Sequence, residues 1–436
     1  GIQIALLFYF VTEKVLRTLN AQSRWIYWRQ NWFEVLLFAL LAGITIGQRG
    51  LLHGAEGKAV FHTALGGYLV LQVVIKVCRS IVHLASLGRN PARMLIASFL
   101  VLIMVGAGAL CLPRASTGPR LGFVDALFTA TSATCVTGLV VKDTGSDFSL
   151  MGQVVILGLI QLGGLGIVIF GAVLSLLLGQ AFTLRESAAM QDLLSAQTLS
   201  RISHIIAFIF LATLLVEALG TLGLYCMWDN HPDFQGGPHQ TWFYSLFHAI
   251  SAFCNAGFAL FGDSLLRYKH SLGIYSIICP LIMVGGLGFG VLFNLSTVAA
   301  QRGQRFLSRR FDRRAGLSLG PLKRVSLQSK IVLTVSLGLI ILGAALILVC
   351  EHWANPRETV ACASAGDALF QSISARTAGF NTVDIASMAG SSRIALILLM
   401  LVGGSPGSTA GGIKTVTLAV VIMTVVTNMR KRSEVE

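Results

Sequence analysis

Three stretches of the chain repeat one another: LFTATSATCVTGL (Leu127–Leu139), LFHAISAFCNAGF (Leu246–Phe258) and LFQSISARTAGF (Leu369–Phe380). Each begins with Leu-Phe, carries a serine four residues after that phenylalanine, and then reaches a small residue followed by glycine. The three glycines lie 119 and 122 residues apart, which predicts a repeated unit of that length. Because each stretch lies between two long apolar runs, the pattern is typical of a helix, a re-entrant pore helix with its loop, and a second helix.

Composition indicates a membrane protein. Of the 436 residues, 54% are hydrophobic and 12% are charged, and the mean hydropathy is +0.75, whereas soluble domains carry about 25% charged residues. Apolar runs of about 20 residues, enough to cross a hydrocarbon core of about 30 Å, are predicted as membrane spans. They cover 33–50, 60–78, 93–112, 151–178, 203–227, 273–298, 331–350 and 393–427, the last with an interruption. The expected fold is an all-α polytopic membrane protein, with tandem helix–pore loop–helix repeats around a central pore and extra N-terminal transmembrane helices.

The net charge of +14 is concentrated in a few clusters. These are Lys14–Arg29, Lys76–Arg93, Gln301–Arg324 and Arg430–Arg432. Since positive charge collects on the cytoplasmic side of membrane proteins, the clusters are predicted to lie inside and the three pore stretches near the outer face. The same distribution argues against a nucleic-acid partner.

The sequence has no recognisable enzyme motif. The eight cysteines form no CxxC pair, the nine histidines show no HExxH spacing, and neither a Walker loop nor a GxSxG motif is present. We therefore predict that the protein is not an enzyme and that the chain has no catalytic residue, no cofactor and no metal site beyond a transported ion.

The ends of the three repeats are suited to cation binding. A dehydrated cation needs oxygen ligands, and backbone carbonyls can supply them where glycine permits an unusual backbone. Helices over Asp125–Thr134, Tyr244–Phe253 and Asp367–Ala375 would point their partly negative ends at the pore axis. The predicted selectivity filter consists of Cys135, Val136, Thr137, Gly138, Cys254, Asn255, Ala256, Gly257, Thr377, Ala378 and Gly379.

The last apolar run is interrupted by GGSPGSTAGG. Glycine costs a helix about 1 kcal/mol and proline about 3 kcal/mol, so a loop beside a polar cavity is expected there; a kinked helix is the alternative. We call this segment the gate loop, and it consists of Gly403, Gly404, Ser405, Pro406, Gly407, Ser408, Thr409, Ala410, Gly411 and Gly412.

Three charged residues lie in or beside the apolar runs and are predicted to support the pore. Glu217 either lines the ion pathway or is a buried structural partner of a pore helix, and both readings stay open. Arg376 is expected to anchor the third pore loop, since a cation would avoid a bare guanidinium. Lys414 either snorkels or pairs with an acid.

Four motifs resemble the membrane subunit of the Trk/Ktr/HKT superfamily of potassium transporters. They are SATCVTGL, HAISAFCNAGF, SARTAGFNT (Ser374–Thr382) and GGSPGSTAGGIKT (Gly403–Thr415), and the resemblance runs from about Asn90 to Arg432. It implies potassium selectivity from Gly138, where some sodium-preferring plant members have serine, and a loop at 403–412 that moves during gating. It also implies a homodimer on a cytosolic ring of nucleotide-binding regulatory subunits, with the basic Gln301–Arg324 loop as a contact.

The predicted organisation has several parts. They are additional N-terminal transmembrane helices (1–89), a first helix–pore–helix unit (90–180), a second unit (181–300), a basic cytoplasmic linker (301–330) and a third unit with an interrupted last helix (331–430). Members of the superfamily carry four such units, so we expect the chain to be a fragment that lacks the fourth.

The expected function is potassium uptake across the cell (plasma) membrane, with potassium as the transported ion. A sodium-permeable or sodium-coupled member of the same architecture is the alternative. A secondary transporter for an organic solute is less favoured, because its repeats would be inverted.

Overall fold

The computed structural model describes residue 12 and residues 91–166, 202–228, 238–269, 271–311, 324–354 and 364–430. The chain divides into two compact units. The second unit holds nearly all of the described residues, from Phe99 to Gly166 and from Ala207 onward, and it contains all three repeated stretches. The predicted spans at 33–50 and 60–78 and most of the basic clusters lie outside the described residues.

The first repeat contains helices α1 (Pro91–Leu110), α2 (Phe123–Thr134) and α3 (Leu150–Leu165). The short helix α2 packs against α3. Gly163 in α3 permits this contact, because a Cβ there would collide with the carbonyl oxygen of Thr134 at the end of α2. The glycine-rich segment of this repeat therefore serves close packing, as small residues do in membranes.

The second repeat contains α4 (Ile202–Met227), α5 (Pro238–Phe253), α6 (Leu272–Leu287) and α7 (Phe289–Phe311). The sequence predicts one continuous span over 273–298, but the chain turns by 103° between α6 and α7. Gly288 makes this turn with a φ of +84°, a left-handed conformation that glycine adopts without steric cost.

The third repeat contains α8 (Leu327–Ala354), α9 (Ala365–Ser374) and α10 (Gly390–Leu401), and α11 (Thr415–Met429) comes next. Ser364 caps α9 by accepting a hydrogen bond from the backbone N–H of Asp367 at 3.1 Å, and α9 packs against α8 and α6. The backbone between α10 and α11 is not helical, so the predicted interruption is a loop and not a kinked helix.

Two helices in the described part of the chain are long and apolar enough to cross a membrane, Ile205–Met227 and Leu327–Trp353; the bent pair α6 and α7 makes a third if it is taken as one span. Their outward faces carry large apolar side chains, among them Leu211, Leu215 and Ile341. Such surfaces fit a hydrocarbon environment.

Candidate functional site

A helix is present at each of the three positions where a pore helix is predicted, and two of these helices end at the predicted residue. Helices α2 and α5 end at Thr134 and Phe253 as expected, and α9 ends at Ser374, one residue early. All three begin before the predicted residue, and the largest difference is in α5, which begins at Pro238 instead of Tyr244. We call the segments after these helices the first, second and third filter loops.

The backbone of all three filter loops follows one pattern. Two residues with positive φ flank one residue without it, and the second of the two is always glycine. The pairs are Val136 (55°) with Gly138 (79°), Asn255 (58°) with Gly257 (71°), and Thr377 (69°) with Gly379 (82°). A left-handed residue other than glycine is uncommon, above all a valine or threonine, and costs free energy. Its recurrence at one position of every loop therefore indicates a functional constraint.

The hydrogen bonds of these loops fix the direction of their carbonyl groups. In the second loop, the N–H of Asn255 donates to Ala252 O at 3.1 Å, and the N–H of Ala256 donates to Ser251 O at 2.8 Å. In a trans peptide the preceding carbonyl points the opposite way, so the oxygens of Cys254 and Asn255 face away from the pore helix.

The other two loops repeat this arrangement. Thr137 N–H donates to Ser132 O at 2.8 Å, and Ala378 N–H donates to Ser374 O at 2.9 Å. The carbonyls of Val136 and Thr377 therefore also point away from their pore helices. Each loop presents backbone oxygens on the side opposite its helix, which is the arrangement that replaces a cation's hydration shell.

The three glycines bring the loops side by side in chain order. A Cβ on Gly138 would lie 2.6 Å from Ala256 O and 3.3 Å from Gly257 Cα, and a Cβ on Gly257 would lie 2.7 Å from Ala378 O and 3.0 Å from Gly379 Cα. The neighbouring atoms are all backbone, so no side chain could turn aside to make room. Glycine is therefore required both for its positive φ and for the close approach of the next loop.

The repeated serine holds two of the loops from behind. Ser251 Oγ donates to the carbonyl oxygen of Phe258 at 2.7 Å, and Ser374 Oγ donates to that of Phe380 at 2.5 Å. The equivalent Ser132 hydroxyl is buried and has no hydrogen-bond partner within the described part of the chain. The sequence shows this serine in all three repeats but does not indicate its role. Its recurrence is the one sequence signal that it has a structural function.

The two ends of the gate loop are paired with each other, and the loop is hydrogen-bonded to the bend between α6 and α7. Its two ends meet in a parallel bridge between Val402 and Ile413. Ser405 N–H donates to Gly286 O at 3.0 Å, and Phe289 N–H donates to a gate-loop carbonyl, Gly407 O, at 2.9 Å. The broken end of α6 thus exposes backbone groups that the gate loop satisfies.

The same loop contacts two of the three filter loops. Asn255 Nδ2 donates to Thr409 Oγ1 at 2.9 Å, and that hydroxyl donates to Phe253 O at 3.2 Å. The N–H of Gly411 donates to Thr377 Oγ1 at 3.2 Å. The filter side chains at 255 and 377 therefore face the gate loop. The sequence did not predict this contact, because the filter prediction rests on backbone carbonyl groups and not on side chains.

Arg376 lies between the third filter loop, α8 and the gate loop. Its guanidinium donates to Ser336 Oγ at 3.2 Å and to Gly403 O at 3.2 Å, contacts that suit the anchoring role expected for it. Lys414 donates from Nζ to Ala410 O at 2.8 Å, which is a carbonyl of the gate loop itself and not the acid considered from the sequence.

Glu217 is a buried residue of α4. It is 4% exposed, and its Oε2 accepts a hydrogen bond from Gln161 Nε2 at 3.2 Å. The same glutamine, on α3, has its Oε1 3.9 Å from Cys254 Sγ. Gln161 of the first repeat therefore contacts both Glu217 and Cys254 of the second repeat. The sequence did not indicate this partner for Glu217.

Together these elements define a class of protein: an all-α polytopic membrane protein whose tandem repeats place re-entrant loops side by side. A family model described as TrkH, cation transport protein, matches residues 85–436. The chain belongs to this family, which confirms the predicted superfamily and the prediction of a transporter instead of an enzyme.

Curated relatives agree with the family match. The chain is 36% identical over 349 residues to Ktr system potassium uptake protein B of Bacillus subtilis, covering 79% of this chain and 72% of the relative. It is 32% identical over 338 residues to potassium/sodium uptake protein NtpJ of Enterococcus hirae, covering 77% and 69% of the two chains.

A solved structure confirms the fold. The crystal structure of the potassium transporter TrkH from Vibrio parahaemolyticus matches with a TM-score of 0.56 and 17% identity, covering 94% of this chain and 76% of that one. The all-α polytopic membrane fold expected from the sequence is therefore confirmed.

Proposed function

We propose that the protein takes up potassium across the membrane through the three filter loops. The observation that carries the proposal is their shared geometry: alternating left-handed residues, carbonyls turned away from the pore helices, and glycines against the next loop. Such carbonyl groups can replace the water that a potassium ion loses. The relatives named as potassium uptake proteins support the same ion.

The proposed route runs from outside to inside. A potassium ion enters at the filter loops, sheds water onto their carbonyl oxygens and moves into a cavity below them. The gate loop then obstructs its path. This role is supported by the contacts of Thr409 and Gly411 with the second and third filter loops, and by glycines that let the loop change shape at low steric cost.

A sodium-permeable or sodium-coupled transporter of the same architecture is the second candidate. The relative from Enterococcus hirae is named as a potassium/sodium uptake protein and shares 32% of its residues with the aligned part of this chain. Backbone carbonyls alone do not decide ion coupling, so the choice depends on flux measured with both ions. An organic-solute transporter has no comparable support.

Further proposals concern the setting of the protein. Membership of the family supports a location in a membrane and a regulatory protein as the kind of partner. We propose the plasma membrane, a homodimer in the lipid bilayer, and a cytosolic ring of nucleotide-binding subunits as the specific forms. The unit boundaries at 90–180, 181–300 and 331–430 stay predictions, as do the supporting roles of Glu217, Arg376 and Lys414.

The filter proposal is tested by replacing Gly138 with serine. The added Cβ would press on Ala256 O and would occupy a left-handed backbone, so the spacing of the carbonyl oxygens must change. We expect the preference for rubidium over sodium to fall by roughly tenfold, about 1.4 kcal/mol. The measurement is rubidium and sodium flux into proteoliposomes, normalised to folded protein.

The matched control is Gly158→Ser in the middle of α3, where an added Cβ meets no atom within 4 Å. It should leave the rubidium preference unchanged. If Gly138→Ser retained the wild-type preference in monodisperse protein, the first loop would not be part of the filter.

A further inference from the structure

The three filter loops share one backbone conformation, but the side chains at their first left-handed position differ in hydrogen bonding. In the second and third loops the residue is Asn255 or Thr377, and each side chain is hydrogen-bonded to the gate loop. In the first loop the residue is Val136, whose side chain offers no hydrogen-bonding group. In two of the three loops, the side chain of the first left-handed residue is therefore directed toward the gate loop.

The second loop is shaped to hold its asparagine in this position. Asn255 is 1% exposed, and its amide lies over Gly285, where a Cβ would come within 3.1 Å of Nδ2 and would also collide with Phe253 O. Asparagine is among the residues that adopt a left-handed backbone most readily after glycine. Its Oδ1 is buried with no partner among the described residues, so the bond from Nδ2 is the one that holds the amide.

Thr409 completes the connection with a single hydroxyl. That hydroxyl accepts from Asn255 Nδ2 and donates to Phe253 O, a carbonyl at the end of the pore helix. Both groups are buried, so losing Thr409 Oγ1 would leave a donor and an acceptor unsatisfied, which is costly. The gate loop thus supplies a group that the second filter loop needs in its present conformation.

We propose that Asn255 and Thr377 form a two-point latch between the filter and the gate loop. The latch rests on the proposed function of both segments, and it adds a coupling between them. The gate loop leaves its place only by releasing Thr409 from Asn255 and Gly411 from Thr377. The second and third filter loops then lose a side-chain support at their strained residues, while the first loop has no such bond to lose. Ion selectivity therefore changes when the gate opens, and it changes through two loops of the three.

The test is Thr409→Val, which keeps the shape of the side chain and removes the hydroxyl. Loss of this hydrogen-bonded connection should raise rubidium flux per folded protein by roughly twofold to tenfold and should lower the rubidium-to-sodium flux ratio. Thr409→Ser restores the hydroxyl and should return both quantities to wild-type values. A residue needed only for folding would change the yield of folded protein but not the flux ratio.

The matched control is Thr424→Val on α11. The Thr424 hydroxyl donates to Val420 O within its own helix, at 2.8 Å on an exposed face, so flux and selectivity should stay at wild-type values. Thr377→Val removes the second contact of the latch, the bond from Gly411. It tests the latch if Thr409→Val does not fold. It should raise flux and lower the flux ratio in the same direction.

A shortened gate loop separates failure of the latch from failure of the gate. Deleting 407–410 should raise flux if this segment obstructs the pore. Raised flux in the deletion with wild-type flux and ratio in folded Thr409→Val would overturn the latch and leave the gate standing. Unchanged flux in a folded deletion variant would overturn the gate, and with it the latch.

Discussion

The first filter loop and the other two share a sequence motif but are held in place differently. The residue that comes after the filter glycine is Leu139 in the first loop and is 59% exposed, whereas Phe258 and Phe380 are completely buried. Each phenylalanine fixes the C-terminal end of its loop in the protein interior. The leucine provides no comparable anchor among the described residues.

The hydrogen bonds follow the same division. When the residue after the glycine is buried, its carbonyl lies within reach of the serine from the pore helix, as in Ser251 and Ser374. In the first loop this residue is exposed, and the hydroxyl of Ser132 has no partner in the described ranges. One repeated motif can therefore preserve the backbone of three loops while their supporting contacts diverge.

The largest expected difference between the loops comes from removing their anchoring side chains. Phe258→Ala should lower the free energy of unfolding by about 3–5 kcal/mol, because it empties a completely buried site. Leu139→Ala should change it by less than about 0.5 kcal/mol, as exposed substitutions do. The midpoint of thermal unfolding of the purified protein in detergent measures both. Equal losses for the two variants would show that the first loop is anchored as firmly as the second.

A smaller effect is expected from the arginine of the third loop. Arg376 precedes the left-handed residue, as the exposed Cys135 does in the first loop, but it is bonded to Ser336 and Gly403. Arg376→Met should lower the free energy of unfolding by about 1.5–3 kcal/mol, the range for hydrogen bonds to charged groups. The measurement is thermal unfolding of the purified variant. The matched control is Arg393→Met, which replaces an exposed arginine on α10. A loss no greater than in that control would mean that Arg376 does not anchor the loop.

The smallest expected effect distinguishes the serines. Ser251→Ala removes the donor to a buried carbonyl and should cost about 1 kcal/mol. Ser132→Ala removes a buried hydroxyl that has no partner in the described part of the chain, and it should be neutral or slightly stabilising. Thermal unfolding of the two alanine variants gives the comparison directly. A cost for Ser132→Ala equal to that for Ser251→Ala would show that the first loop has the same support.

Local patterns in the sequence were enough to predict the helices that precede the three loops, with their ends correct to within one residue, and the loop that interrupts the last apolar run. They depend on glycine, proline and small residues whose backbone effects are local. The early start of α5 was also readable, since Pro238 is a typical first residue of a helix. The bend at Gly288 was missed because it lies inside an apolar run, where periodicity gives no boundary.

Contacts between distant parts of the chain were beyond this kind of reasoning. Asn255 and Thr409 are 154 residues apart, and nothing in the local sequence of either residue identifies the other. Likewise, the hydrogen bond between Gln161 and Glu217 depends on how α3 and α4 pack. Residue type left open whether Glu217 faces the ion pathway or a buried partner, and only the structure identifies Gln161 as its hydrogen-bond donor.

The separation between Asn255 and Thr409 also sets an order for biosynthesis. The ribosome makes the second filter loop well before the gate loop, and N-terminal parts of a chain begin to fold first. The amide of Asn255 and the carbonyl of Phe253 therefore lack this hydrogen-bond partner while the protein is partly inserted. The hydroxyl of Thr409 is synthesised 154 residues after Asn255. The repeat that lies between the other two along the chain is thus completed only after the third has been made. Insertion of α10, the gate loop and α11 is consequently needed before the second filter loop has these two hydrogen bonds.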